Sequence, residues 1–200
     1  MDSKPNITRN LIIFASGEGS NTEKIIDYFT DKPEIKISAV LSNKYNSPVL
    51  EKAHKRNIKA ISFDRDSFFY SNEVFHLMKD LNPDLIVLAG FLWLMPERIV
   101  QHFSGKIINL HPALLPKHGG KGMYGNRVHK AVIANEEPES GITIHYVNEN
   151  FDEGRVVEQF KTKVNAEDTH EGLAEKIKAL EHKHYPEVIE KILKGGYGKK

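Results

Sequence analysis

The chain is 200 residues long, 40% hydrophobic and nearly charge-balanced, with 28 Lys plus Arg against 27 Asp plus Glu. That size and apolar content suit one α/β domain with a large core, and the absence of a polybasic block speaks against a nucleic-acid partner. Cysteine is absent, which excludes disulfides, thiolate zinc sites and a cysteine nucleophile. The stretch 1–10 lacks the apolar centre of a signal peptide. Leu85 to Met95, the longest apolar run, falls short of the roughly twenty residues that span a bilayer. The expectation is a cytoplasmic protein with small-molecule substrates, no nucleic-acid or membrane partner, and a monomeric or weakly dimeric state.

In chain order, a polar lead over 1–10 precedes one domain over 11–194 and a tail over 195–200. Leu11 to Ala15 reads as a buried strand that runs into Ser16-Gly17-Glu18-Gly19-Ser20-Asn21 and then a helix with Ile25, Ile26 and Phe29 on one face. Strand, glycine-rich turn and helix together aim backbone N–H groups and a positive helix end at an anion. Ser20 or Asn21 is placed to cap the helix. The spacing is neither the dinucleotide fingerprint nor a P-loop, so a tight turn with a cap explains these residues equally well.

Ile35 to Leu41 alternates as a second strand, Pro48 to Arg56 forms a short helix, and Lys59 to Ile61 a third strand. Val74, Phe75, Met78 and Leu81 recur at helical spacing within 67–81. Leu85 to Phe91 and Ile107 to His111 are β-branched-rich apolar runs, the pattern of strands buried on both faces. Between them lies room for a crossover. The uninterrupted β–α alternation predicts a doubly wound, mostly parallel open sheet.

Beyond His111, Lys117 to Gly125 is a glycine-rich loop, of a length that marks mobile or functional segments. Asn126 to Asn135 reads as a helix. Gly141 to Val147 and Val156 to Val164 read as strands joined by a polar turn, an antiparallel addition near the carboxyl end. Asp168-Thr169 caps a last helix with Leu173, Ile177, Leu180 and Val188 inward, interrupted at Pro186.

Asn109 and His111 share a strand face at a carboxyl end, where chemistry collects in such sheets. Pro112 keeps His111 extended. An imidazole beside an amide can hold a carbonyl oxygen and exchange a proton near neutral pH; a histidine simply capping a strand is the structural alternative. Asp152 lies in a turn, where aspartate is common for conformational reasons alone. Brought to His111, its charge would raise the imidazole pKa. No serine or cysteine is placed as a nucleophile, so the chemistry expected is direct transfer or hydrolysis at a carbonyl-like carbon.

These residues carry a family resemblance. Ser16 to Asn21, Leu88 to Phe91, Asn109 to Pro116, Gly141 to His145, Asp152 to Gly154 and Glu181-His182 make the chain resemble the phosphoribosylglycinamide formyltransferases, within the folate-dependent formyltransferase superfamily. The resemblance implies that a glycinamide amine takes a formyl group from 10-formyltetrahydrofolate, without metal or covalent intermediate, in purine biosynthesis. By that likeness Asn109 holds the formyl oxygen, protonated His111 stabilises the oxyanion and donates a proton, and Asp152 tunes the histidine and shuttles the amine proton. His145 supports them. Gly19, Ser20, Asn21, Lys178 and Glu181 match ribonucleotide contacts. Leu92, Trp93, Leu94, Met95, Asn148, Glu149, Asn150 and Phe151, with Asn109 and Asp152, match the folate pocket. The loop after Pro116 is longer than the family's common form. Trp93 is bulkier than many relatives carry. Arg65 is the nearest candidate for an arginine that often contacts the folate tail, with Ser67 also near that position.

Four other readings share some of these residues. A formyltetrahydrofolate deformylase uses the same Asn, His and Asp with water as acceptor, but normally carries an amino-terminal regulatory domain. A methionyl-tRNA or nucleotide-sugar formyltransferase is disfavoured, the former by its further carboxyl-terminal domain and by the neutral charge here. A non-catalytic nucleotide-binding module would use Gly19 to Asn21 alone. A metal site from His111, His145 and Asp152 is a further alternative.

Overall fold

The protein is described here from a computed structural model covering residues 8–197. Most of the expected lead and the end of the expected tail lie outside the described residues. The chain divides into two compact units, Met1–Phe91 and Leu92–Lys200.

The first unit contains β1 (Arg9–Phe14), α1 (Ser20–Phe29), β2 (Ile35–Ser42), α2 (Pro48–Lys55), β3 (Lys59–Ser62), α3 (Arg65–Phe69), α4 (Glu73–Leu81) and β4 (Leu85–Leu88). Its strands lie in the order β3-β2-β1-β4 and pair in parallel. Leu11, Ile12, Ile13 and Phe14 have no exposed surface, as a strand covered on both faces requires. Phe14 lies opposite both Leu41 and Leu88, so three strands end level. Pairing continues one step further, with the Ser16 N–H donating to the Gly90 carbonyl at 3.1 Å. Phe14, Phe63, Phe68 and Phe91 cluster under those ends, with the Phe14–Phe91 ring centroids 5.3 Å apart. The turn from Ser16 to Asn21 therefore springs from a rigid rim.

Two local expectations for this unit are corrected. The helix expected over 67–81 is two helices, α3 and α4, separated by Tyr70 to Asn72. Asp64 and Ser67 close a capping box on α3, and Asn72 adopts left-handed φ 64° just before α4, a conformation that Asn tolerates. Neither Ser20 nor Asn21 caps α1. The cap position is Gly19, left-handed at φ 71° and without a side-chain cap bond.

The second unit contains α5 (Glu97–His102), β5 (Ile107–His111), α6 (Asn126–Ala134), β6 (Glu139–Tyr146), β7 (Val156–Lys163) and α7 (His170–Leu193). Its strands lie in the order β5-β6-β7 and pair antiparallel. The described strands thus form the expected α/β mixture, parallel through the first half and antiparallel towards the carboxyl end. Thr169, not Asp168, caps α7, its hydroxyl accepting from the Gly172 N–H at 3.1 Å. Contrary to the expected interruption, α7 runs through Pro186. A proline inside a helix costs about 3 kcal/mol, but Tyr185, Val188 and Ile189 beside it are completely buried, and their combined burial exceeds that cost.

Close approach of β6 and β7 rests on Gly141, where a Cβ would collide with the Phe160 carbonyl and the Leu114 side chain. Backbone cannot yield as a side-chain tip can. The variant Gly141→Ala should therefore lose about 2–3 kcal/mol of stability, read as a lower urea midpoint at unchanged slope; an unshifted midpoint would contradict this packing.

Candidate active site

The site is built where β5, β6 and the turn after β6 converge within the second unit. Asn109 is paired in register with His145, and His111 with Thr143. The side chains of 109 and 111 share one face because strand residues alternate. A register shift between Ile144 and His145 re-aims the β6 side chain, as bulges do beside sites. Asp152 arrives from the turn at φ 58°. Two residues on, Gly154 passes so close to the Tyr146 carbonyl that a Cβ would overlap it. This turn is thus tied down on the strand that carries His145.

Asp152 is the hub. Its Oδ2 lies 3.3 Å from His111 Nδ1, and its Oδ1 3.5 Å from His145 Nε2. Its Oδ2 also accepts the Gly120 N–H at 3.0 Å, and its Oδ1 the Asn109 amide at 3.4 Å. The same amide nitrogen lies 3.2 Å from His145 Nε2, while His145 Nδ1 faces the Tyr146 carbonyl at 2.9 Å. Flipping the Asn109 amide would set its oxygen against the Asp152 carboxylate, so the network itself fixes the orientation.

The charge balance differs from the expectation for His111. Burial is the largest influence and pushes its pKa below the ordinary 6.5; the Asp152 charge and the His118 carbonyl push back without prevailing. With 3% of its side chain exposed, the ring loses more to desolvation than one carboxylate returns. Burial thus weakens the ring's hold on its second proton, although an oxygen faces each of its nitrogens. Burial also raises the Asp152 pKa, but His145, His111 and the Gly120 N–H together outweigh it, so the carboxyl titrates below its usual range and stays ionised.

The loop over Lys117 to Gly125 closes on the pair. His111 Nε2 lies 2.8 Å from the His118 carbonyl. Gly119 packs where a Cβ would overlap the Leu115 side chain and come within 3.4 Å of Asp152 Cβ. Both ring nitrogens of His111 thus face oxygens of the protein itself.

Other predicted positions are distributed as follows. Leu92 is 44% exposed and Met95 buried; Trp93 and Leu94 lie half-buried between them, before α5. Asn148, Glu149, Asn150 and Phe151 form the turn that delivers Asp152, braced by Asn150 Nδ2 donating to Glu153 at 2.7 Å. Lys178 and Glu181 lie one turn apart on α7, the lysine exposed and the glutamate half-buried. Gly19, Ser20 and Asn21 form the turn in the first unit, where a Cβ on Gly19 would collide with Val49. Arg65 lies over the Phe69 ring at 4.9 Å, and Ser67 serves the α3 capping box. Among the described residues no group of three or more His, Cys, Asp or Glu is disposed to hold a metal ion, and no helix is long and apolar enough to cross a membrane.

The family pattern described as formyl transferase matches residues 9–189, nearly the whole described chain. The chain belongs to the formyl transferase family. It is 34% identical, over 90% of its length and 85% of the relative's, to phosphoribosylglycinamide formyltransferase of Escherichia coli (strain K12). It is 38% identical over 90% of its length to the chloroplastic phosphoribosylglycinamide formyltransferase of Arabidopsis thaliana. The chain spans 64% of that plant protein's length and 61% of the Vigna unguiculata one's. Among solved structures, phosphoribosylglycinamide formyltransferase from Anaplasma phagocytophilum superposes with a TM-score of 0.85, at 31% identity, covering 94% of this chain and 88% of that one. The fold class expected from the alternating pattern is thereby the family's own.

Sequence reasoning missed three contributors. Thr143 is completely buried; its hydroxyl donates to the Ala113 carbonyl at 2.6 Å and accepts from the Leu115 N–H at 3.0 Å and Gln159 at 2.9 Å. It fixes the chain just after His111, and its place two residues before His145 on the same strand face was the available signal. The His118 carbonyl and Gly120 N–H are backbone groups, which no residue type announces.

His111 and His129 are both held below the ordinary 6.5, in each case chiefly by burial. The unfolded chain therefore binds protons that the folded one refuses as pH falls below 6.5. The stability these neutral rings confer is complete above pH 6.5 and is lost on acidification towards their lower folded values. Each contributes up to about 1.4 kcal/mol per pH unit across that window. Urea midpoints measured from pH 8 to about 5 should decline below 6.5, and His129→Gln should flatten the decline; a flat wild-type profile would refute the assignment.

Proposed function

We propose that the chain transfers the formyl group of 10-formyltetrahydrofolate to the glycinamide amine of a phosphoribosyl-bearing acceptor. Formyl transfer to phosphoribosylglycinamide is the activity in its relatives' names; for this chain the reading adds small-molecule substrates and a cytoplasmic setting. The observation that carries the reading is the convergence of Asn109, His111 and His145 on the Asp152 carboxylate. An amide donor, an imidazole and a buried ionised acid suit acyl transfer between two nitrogens.

In this reading the formyl oxygen takes the place of the His118 carbonyl on His111 Nε2. The incoming amine bonds to the formyl carbon, and the carbonyl π pair moves onto oxygen. Negative charge beside the ring then favours the imidazolium that burial alone disfavours, with Asp152 on the opposite nitrogen holding the charge in place. Asn109 turns one amide N–H to the same oxygen. Asp152 accepts the proton shed by the amine nitrogen and passes it to His111 Nδ1, 3.3 Å away, as the ring gives up its Nε2 proton. His111 delivers a proton to the departing folate nitrogen as the tetrahedral adduct collapses and the C–N bond to folate breaks. One proton leaves the amine and one reaches the leaving group, so the balance closes without metal or covalent enzyme adduct.

By the family likeness, Leu92 to Met95 and Asn148 to Phe151 supply an apolar and a polar segment for the folate. Gly19, Ser20 and Asn21 offer backbone N–H groups at the start of α1, a ten-residue helix, for the acceptor's phosphate. Lys178 and Glu181 bind its ribose portion.

The test is consumption of 10-formyltetrahydrofolate with and without glycinamide ribonucleotide. Consumption dependent on the amine is expected; amine-independent consumption would mean hydrolysis, and none would mean a binding module. His111→Ala and Asp152→Asn should each lower kcat by about 100- to 10,000-fold with the folded state retained. Undiminished turnover in either would overturn the mechanism.

A further inference from the structure

His111 pairs in register with Thr143, and Thr143 with Gln159. Residues directly opposite on neighbouring strands present their side chains on the same face. An imidazole, a hydroxyl and an amide therefore form one row from β5 through β6 to β7. The chain that leaves His111 turns back over this row and is bonded to it at three backbone groups. Thr143 holds the Ala113 carbonyl at 2.6 Å and the Leu115 N–H at 3.0 Å, and Gln159 Nε2 donates to the Leu115 carbonyl at 3.0 Å.

The bonds leave little choice of residue at 159. A hydroxyl has one proton, and Thr143 commits it to Ala113, so towards Gln159 its oxygen can only accept. The Leu115 carbonyl can only accept as well. Both bonds need hydrogens, and the amide nitrogen of Gln159 gives one to Thr143 at 2.9 Å and one to Leu115 at 3.0 Å. A carboxylate of the same length would have no hydrogen to give and would set an anion against two acceptor oxygens.

We propose that Gln159 is a positioning residue for His111. It stands two strands away from the ring and acts through Thr143 and Leu115. Fixing Ala113 and Leu115 sets the direction in which the chain leaves β5 just beyond the imidazole. The same anchor sets the root of the loop. Gly119 packs on the Leu115 side chain, the His118 carbonyl faces His111 Nε2 at 2.8 Å, and the Gly120 N–H reaches Asp152 at 3.0 Å. Groups that serve both sides of the ring thus hang from the backbone that Gln159 holds, the support that a precisely placed side chain requires. Its consequence for turnover rests on the formyl-transfer reading; its consequence for the ring does not.

The variants are Gln159→Glu and the neutral Gln159→Met, which keeps the length should the charge hinder folding. Lys161→Gln, on the same face of β7 and outside the row, is the control. Histidine ring signals are followed in the intact chain by heteronuclear NMR, with His111 identified by its loss in His111→Ala. The internal reference is His184, stacked at 3.8 Å on Phe160, the residue next to Gln159 in β7. In both Gln159 variants the His111 signals should shift or broaden while those of His184 stay. The kcat for formyl transfer should fall about 10- to 100-fold, the scale of a slight misplacement at a reacting group. KM for either substrate should stay within about three-fold, and Lys161→Gln should change neither constant. Unmoved His111 signals in a folded variant, equal movement of His184, or full kcat despite a displaced ring would overturn the proposal. If the wild-type chain transfers no formyl group, the proposed function falls, and the ring signals alone decide the role of Gln159.

Discussion

One carboxylate organises the site. Asp152 sits between two imidazoles at 3.3 and 3.5 Å, with an amide and a backbone N–H filling its remaining lone pairs. At an effective dielectric near 20, a full charge pair at such a distance is worth about 5 kcal/mol. A buried acid of this kind is stable only when its neighbours are complete, and removing one partner costs about 3–5 kcal/mol. This requirement explains the surrounding architecture. The turn after β6 must present an aspartate at positive φ, Gly154 must let that turn close against Tyr146, and the glycine loop must bring its N–H within reach. Each is a local strain or a tight contact that makes sense only as support for one buried charge.

The same carboxylate does not by itself make His111 cationic. Desolvation acts on the ring from all sides, whereas Asp152 acts from one, and the first prevails while the loop is closed. The ring's second nitrogen is satisfied by the His118 carbonyl, a neutral dipole that supports charge less than an anion would. A developing oxyanion at that position would supply the missing attraction. Under the proposed function, charge on the ring would be favoured as substrate charge appears. Preorganisation of this sort lowers the reorganisation needed during the reaction.

How much of this could be read from residues alone depends on what kind of atom does the work. Asn109 and His111 were legible because strand alternation and a following proline fix their side chains together. The two strands bringing His145 and Asp152 back were legible from β-branched runs around a polar turn. The break between α3 and α4 was not, because Asn72 adopts a left-handed backbone that leaves no mark on the hydrophobic spacing. The continuity of α7 through Pro186 was hidden for the converse reason: local propensity forbids it, and burial of Tyr185 and Val188 overrides propensity. The helix cap at Gly19 escaped because Ser20 and Asn21 are better cap formers by type. The steric contact with Val49 is a tertiary fact.

The closed loop also sets an order on the bonds that must yield. The His118 carbonyl holds His111 at 2.8 Å, a full hydrogen bond, whereas Asn109 reaches Asp152 at 3.4 Å, beyond the usual range for a strong one. A net cost near 1 kcal/mol attaches to the first and much less to the second. The amide can therefore turn towards an arriving oxygen while the loop is still in place, but the imidazole cannot engage until the carbonyl withdraws. Under the proposed function, recognition by Asn109 would precede proton delivery by His111, and the buried ring would stay shielded from solvent until the acyl group is held. This ordering follows from two distances and one burial. It accounts for a site whose polar atoms are satisfied by the protein itself, yet graded in how readily they let go.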